Sequence, residues 1–449
     1  MSAPSQNARP LPGPKGRLRN TMRRMADQVE FMRGLHERYG VVVGFELPGL
    51  RCCAVFCPDL ARQVVGSGET YPRAYPPALR ELMGDCLLLS DGEDHRRRRE
   101  LVTSVLDGEM MRQQSRIAVR RASKITSRWR LATSLRIREE FERYVMSCTL
   151  DMVLGTSSTV PTELGVDALK KLRRDQVSMG SPLGGLLAEV PWRNTSRTRR
   201  IEREFGDGVR RSISQARSAE RTCPAMASHL ARTEGSDGGS FWSSDEQLHD
   251  EIAMLALGSP DSPIGALTCA VHYLDRYPEV RDRVEAEVDR ELGGRQLAVA
   301  DLDRLTFTRA LFRETLRLSP PAPNLFPRAA RRDAVLGGYR IPSGTVVFIN
   351  VAVIQESAVH WDRPRDFAPD RWLEEESGEN PAFIPFGLEP TVCPFAEFGE
   401  TLFVAMIACI AQRLRLRPVS NQHPRRAHAA LLGVRGPVPV TVDRRDAHG

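Results

Sequence analysis

The chain has 449 residues, 41% apolar and 27% charged, the proportions of an ordinary soluble globular protein and not of a disordered or membrane-embedded one. Its formal charge of +7 reads as spread along the chain, with Asp and Glu interleaved nearly throughout. That balance gives no argument for nucleic acid, although it would favour an acidic protein partner through long-range steering.

Residues 1–16 form a Pro/Gly-rich leader, expected to be flexible and lacking the apolar core of a signal peptide. The segment 27–40 is an amphipathic helix closed by Gly40. Residues 40–58 read as a β-hairpin turning at Pro48-Gly49. Helical patterns then dominate, over 98–106, 110–131, 134–154, 197–232, 245–272, 279–292 and 308–318. Strands return at 334–340 and 345–350, with Pro342-Ser343-Gly344 as the turn between them. No repeat or linker cuts the chain, so the expectation is one mainly α domain with a minor β region over 17–440, followed by a tail at 441–449. No window is long and apolar enough to span a membrane. Nine cysteines (Cys52, Cys53, Cys57, Cys86, Cys148, Cys223, Cys269, Cys393 and Cys409) follow no disulfide or zinc spacing, which points to a reducing compartment and a cytoplasmic protein.

One of these cysteines stands apart. Cys393 follows an apolar run ending in Phe386-Gly387 and precedes a long helix-like segment from Glu400. A thiol at the mouth of a helix is biased toward thiolate, and a thiolate is a metal or haem-iron ligand. The bland alternative is a small buried core cysteine. Upstream, Glu314 and Arg317 lie three apart on one helix face with apolar flanks, and Arg371 follows in Phe367-Ala368-Pro369-Asp370-Arg371-Trp372. A buried ion pair needs further partners for its remaining hydrogen-bonding groups.

An E-x-x-R helix, an F-x-P-x-R-W segment and an F-G…C loop in this order resemble the cytochrome P-450 family over nearly the whole chain. The resemblance implies the cytochrome P-450 fold, with a long central helix over haem. It makes Cys393 the axial thiolate to iron and Glu314, Arg317 and Arg371 a buried structural triad. Phe386 would stand beside the cofactor, and His95, Arg99 and Arg328 would pair the propionates of haem b. Asp261 and Ser262 would be the acid–alcohol pair that relays protons for the reduction of O2. The apolar stretches 72–89, 181–192, 255–262 and 322–326 would line a pocket for a small hydrophobic substrate.

The loop departs from the family pattern. Glu389 stands where a second Gly is usual, Thr391 where an Arg is usual, and Phe395 where a last Gly is usual. Thr391 removes a propionate partner, Glu389 brings a carboxylate near others, and both predict altered haem binding. Ser262 replaces the common Thr, and Pro260 and Pro263 interrupt the central helix. The implied activity is a soluble monooxygenase, a monomer fed by ferredoxin and ferredoxin reductase, with no membrane and no nucleic-acid partner. Two other readings follow from the departures: a degenerate homologue that activates another biosynthetic enzyme, and a variant that uses peroxide or performs oxidative coupling.

Overall fold

The structure, a computed structural model, describes residues 8–75, 77–179, 196–218, 224–235, 239–373, 380–419 and 438–445. Helix α1 (Arg17–Ala26) and helix α2 (Gln28–Tyr39) are separated by Asp27. Its carboxylate accepts the N–H groups of Val29 and Glu30 at 2.9 and 3.0 Å, filling donors that α2 itself cannot. Gly40 ends α2 with a φ of 95°, a conformation that costs a glycine nothing. The leader is not loose over its second half. Arg9 N–H donates to the Gly338 carbonyl at 3.0 Å, and Gly44 N–H donates to the Pro12 carbonyl at 2.7 Å. Where 1–16 was expected to be flexible, backbone hydrogen bonds tie its second half to two β-segments, one donated by the Arg9 amide and one accepted by the Pro12 carbonyl.

Strands β1 (Val42–Leu47) and β2 (Leu50–Val55) make the predicted hairpin, in register from Val42 opposite Val55 to Leu47 opposite Leu50. Further on come α3 (Pro58–Gly66), α4 (Pro77–Met83), α5 (Gly92–Val105), α6 (Gly108–Thr126), β3 (Ser134–Arg136), α7 (Ile137–Leu154) and α8 (Thr162–Met179). The helix expected over 197–232 is two, α9 (Ser196–Ser218) and α10 (Met226–Leu230), with Pro224 just ahead of the second.

The central helix is also two, α11 (Asp245–Gly258) and α12 (Asp261–Arg276). Proline has no N–H, so Pro260 and Pro263 leave the carbonyls of Ala256 and Ser259 without their helical donors. Ser259 and Pro260 nonetheless keep right-handed helical dihedrals, φ/ψ of −85/−29° and −71/−28°. The hydrogen-bond ladder is cut while the chain path stays helical. Pro263 falls in the first turn of α12, where a missing N–H costs little.

Helices α13 (Pro278–Leu292) and α14 (Thr306–Leu318) follow, then β4 (Arg328–Ala329), β5 (Ala334–Leu336), β6 (Tyr339–Ile341), β7 (Val346–Ile349) and the short α15 (Val351–Ile354). The strand expected over 334–340 folds back on itself at Gly337-Gly338, both with positive φ. The turn at 342–344 therefore joins two different sheets: β7 leaves the β5–β6 hairpin and pairs parallel with β2 and antiparallel with β4, in the order β1-β2-β7-β4. Helix α16 (Ala396–Ala411) is buried along most of its length, which is why its sequence from Leu402 to Ile410 is apolar on every face. Strands β8 (Leu414–Pro418) and β9 (Pro439–Arg444) close the chain in a sheet ordered β3-β9-β8. The tail expected from residue 441 is corrected to this extent: the strand runs to Arg444, and buried Arg445 donates to Asp289 at 2.9 Å and to the Ala411 carbonyl at 2.7 Å.

Candidate functional site

Glu314 and Arg317, on α14, are completely buried, and their side chains meet in a two-pronged ion pair at 2.8 Å for both contacts. Glu314 also accepts from the Ala368 N–H (2.9 Å), the Arg371 Nε (3.2 Å) and the Trp372 indole N–H (2.9 Å). Arg317 spends its other donors on the carbonyls of Gln355, Pro364 and Asp366 at 3.0, 2.6 and 2.9 Å. A desolvated charge pair is tolerable only when its remaining groups are satisfied in this way. The three residues expected to form a triad are thus brought together.

Gln355 carries that framework to the cysteine loop, and nothing in the sequence pattern marked it. Its amide donates to the Leu316 and Arg317 carbonyls at 2.9 and 3.0 Å, capping the end of α14. Its oxygen accepts the Ile384 N–H at 3.0 Å. From there the loop holds itself: Gly387 N–H donates to the Ile384 carbonyl (3.1 Å), Thr391 N–H to Leu388 (2.8 Å), and Cys393 N–H to Phe386 (2.8 Å). Gly387 has a φ of 90°, a left-handed conformation that favours glycine at this turn, while a Cβ there would lie in ordinary contact with the Thr391 carbonyl at 3.4 Å. Phe386 is half-buried with its ring 6.3 Å from that of Phe312.

The Cys393 side chain is accessible yet closely surrounded by protein, so it opens into a recess rather than onto the outer surface. Burial pushes its thiol up in pKa, while the Phe395 N–H and the Arg99 charge pull the other way. Phe395 sits at the start of α16 with its ring against the main core. Its backbone therefore serves the sulfur. Glu389 is also placed differently from the expectation: its charge acts on Arg99, which faces both Glu389 and Cys393, so the carboxylate has a cation to answer it.

Facing the loop is a cluster of basic side chains from three elements. His95 and Arg99 lie on one face of α5, and Arg328 on β4 is 5% exposed. The fourth member, Arg73, was not anticipated. It pairs across an isolated bridge with Arg328 and donates to the carbonyls of Leu87, Leu88 and Ser90 at 3.3, 3.0 and 3.1 Å. It also approaches His95 Nε2 at 2.8 Å. Since Arg can only donate, Nε2 must accept, and the ring proton sits on Nδ1. Burial, with Arg73 and Arg99 beside the ring, pushes His95 down to about 4, so it is neutral at pH 7. Burial and the neighbouring Arg73 also lower Arg328. Arg73 falls inside the 72–89 stretch expected to line the substrate pocket, and nothing local marked it for this role.

Three guanidinium groups face two carboxylates, Asp91 beside His95 and Arg328 and Glu389 beside Arg99, so the cluster keeps an excess of positive charge. Among the described residues Arg99 has no hydrogen bond or ion pair, and Arg328 uses one N–H, to the Tyr71 carbonyl at 3.1 Å. Guanidinium groups held together with donors unspent suit an anion with several acceptor oxygens. With a cysteine sulfur next to Arg99, the donor set fits a porphyrin carrying carboxylates, even though Thr391 spends its hydroxyl on the Leu388 carbonyl at 3.0 Å.

Asp261 and Ser262 lie at the start of α12, where Gly399 of α16 brings the two helices together: a Cβ on it would sit 3.9 Å from Pro263 Cγ. Asp261 is ion-paired with Arg173 of α8, whose guanidinium also binds Glu142 at 2.6 Å. The Ser262 hydroxyl has no hydrogen bond among the described residues and is half-buried. Near the expected substrate stretches, Tyr75 and Phe326 meet edge to face at 5.6 Å, with the Tyr75 hydroxyl on the Leu88 carbonyl at 2.7 Å. The stretch 181–192 lies outside the described residues.

A mainly helical domain whose interrupted central helix meets a triad-braced cysteine loop defines a class of haem-dependent oxidoreductases. The family described as Cytochrome P450 matches residues 18–442, and the chain belongs to that family of haem-iron, O2-using monooxygenases. Cyclooctatin synthase of Streptomyces melanosporofaciens is 28% identical over 81% of this chain and 80% of its own length. Cyclooctat-9-en-7-ol 5-monooxygenase of the same organism is 27% identical over 91% and 89%. Pentalenene oxygenase of Streptomyces avermitilis is 26% identical over 83% and 86%. Retinoic acid bound cyanobacterial CYP120A1 superposes with a TM-score of 0.82, covering 98% of this chain and 100% of that one at 18% identity, a likeness of fold. Among the described residues no helix is long and apolar enough to cross a membrane.

Proposed function

We propose that the protein is a haem-thiolate monooxygenase that inserts one oxygen atom from O2 into a bulky apolar molecule of terpene type, within secondary metabolism. Electrons come from a ferredoxin and its reductase. The observation that carries this reading is the pair of underpaired guanidinium groups, Arg99 and Arg328, gathered with Arg73 around neutral His95 and next to Cys393. The same set argues for the enzyme over the non-catalytic partner, since a protein with no anion to hold has no use for such a cluster. The terpene class rests on the relatives named as cyclooctatin, cyclooctat-9-en-7-ol and pentalenene enzymes.

Bound haem b supplies the electron-rich iron at which O2 is reduced and cleaved, and thiolate donation favours that cleavage. Cys393 would be the ligand, held by its own N–H on Phe386 and by the Phe395 N–H at its sulfur. His95 through Nδ1, and Arg99 and Arg328 through their unspent N–H groups, would hold the two carboxylates. Asp261 and Ser262 would form the proton relay, the proton passing by way of Asp261 once its pair with Arg173 opens and on through the Ser262 hydroxyl, which makes no hydrogen bond among the described residues. Arg173 sets when Asp261 can act, because a carboxylate locked in an ion pair is a poor proton carrier until the pair opens.

The carbon monoxide difference spectrum of the reduced protein tests the reading. The parent should show the Soret band of a thiolate-ligated haem and Cys393→Ser should lose it, while the two haem-free proteins should melt within about 2 °C of each other. A parent protein that stays colourless and takes up no added haem overturns the proposal.

A further inference from the structure

Helix α1 is inside out. Its polar residues Asn20 and Thr21 are buried, at 1% and 8% exposure, while Leu18, Met22 and Met25 are 72%, 66% and 54% exposed. Asn20 donates to the Glu46 carbonyl of β1 at 3.1 Å, and the Arg24 guanidinium lies 5.5 Å over the Phe348 ring. The helix thus docks by its polar side. Positions 18, 22 and 25 follow the spacing of a single helical face, so the three apolar side chains form one outward stripe. Leu50, 49% exposed at the hairpin tip, lies across β1–β2 from Leu47, next to the Glu46 that pairs with Arg17 at 2.9 Å.

Charge at this end is not interleaved as it is elsewhere. Residues 1–26 contain Arg9, Lys15, Arg17, Arg19, Arg23 and Arg24 and no Asp or Glu, which accounts for six of the formal +7. The reading of an evenly spread charge is corrected accordingly: beyond Ala26 the chain is nearly neutral. Lys15, Arg17, Arg19 and Arg23 are exposed and border the apolar stripe.

We propose that α1 is an interfacial helix that seats the protein on an anionic lipid bilayer, lying on the surface without crossing it. An apolar stripe flanked by arginines is the pattern that sinks into the acyl boundary while its cations stay among headgroups. Charge decides against a second copy as the occupant: a twofold contact through this face would set the same arginines against one another. The inference is independent of the haem reading, and neither needs the other.

Flotation of the full chain with phosphatidylcholine vesicles, with and without phosphatidylglycerol, is the test. The parent should float with the anionic vesicles and far less with the neutral ones. Arg19→Gln with Arg23→Gln should weaken binding about 25-fold, at about fivefold per arginine, and added salt should mimic it. Leu18→Ser with Met22→Ser should weaken it more than about tenfold and leave the melting temperature unchanged, since both side chains are exposed. A parent that does not float, or a Leu18/Met22 variant that floats equally well, refutes the proposal. So does a parent that dimerises in solution through this face, with the same variant monomeric and vesicles ignored throughout.

Discussion

Gln355→Leu asks whether the cysteine loop is held by the α14 framework or merely rests near it. Leucine keeps most of the volume and removes the amide. Three groups then lose their partner: the Ile384 N–H and the carbonyls of Leu316 and Arg317. All surround a side chain with no exposed surface, so water cannot replace it. At about 1 kcal/mol net for each bond the loss is about 3 kcal/mol, and the stranded Ile384 N–H pushes it upward. For a chain of 449 residues the unfolding entropy scales to about 0.9 kcal/mol per degree, so the melting temperature should fall by roughly 3 °C. The loss should not be purely global. Because the Ile384 end of the bridge leads directly into Gly387 and Cys393, the variant should also release haem faster than an equally destabilised variant of the β3-β9-β8 sheet. Thermal melting and haem transfer to an apo-acceptor give the two readings. A melting temperature within about 1 °C of the parent, together with unchanged haem release, would falsify the role assigned to Gln355.

Two buried titrating groups give predictions of opposite sign. His95 is held down to about 4 in the folded protein against an ordinary value of 6.5, so the unfolded chain binds the extra proton between those values. Apoprotein stability should be full above about pH 6.5 and fall as the pH drops toward 4, by on the order of 2 kcal/mol after solvent screening. His95→Asn should flatten that slope in a series of melts, and parallel slopes would show that the ring is not held neutral. Glu251 on α11 is pushed up to about 7 by burial; it accepts the Leu87 N–H at 2.8 Å and lies 3.8 Å from Arg98, but among the described residues its Oε1 has no hydrogen-bond partner. Here stability is lost as the pH rises from about 4.5 toward 7, because the unfolded carboxyl gives up its proton first. Glu251→Gln should therefore melt with the parent at pH 4.5 and above it at pH 8, by roughly 3 °C for on the order of 3 kcal/mol. A glutamine variant that melts lower at pH 8 would show the charge to be favourable where it lies.

Much of this protein was legible from its residues alone. Helices α2, α6 and α14 follow their apolar spacing and caps, and the cysteine loop, Glu314, Arg317 and Arg371 stand out because their residue types at those spacings rarely coincide. Local pattern carries such information when the partners are near in sequence or when a feature is chemically conspicuous. It failed where an ordinary residue takes its role from a distant element. Arg73 reads as a surface arginine until α5 brings His95 to 2.8 Å of it. Gln355 reads as a loop glutamine until Ile384, 29 residues on, uses its oxygen. Glu389 reads as a carboxylate among carboxylates until Arg99 is seen to face it. Residues 17–26, which form helix α1, are not among the segments read as helical, and the apolar face of a helix there would by default be assigned to the core. Only packing against β1 and Phe348 turns that face outward. Periodicity says that a helix has two faces, whereas which one meets water is decided by what the rest of the chain presents to it.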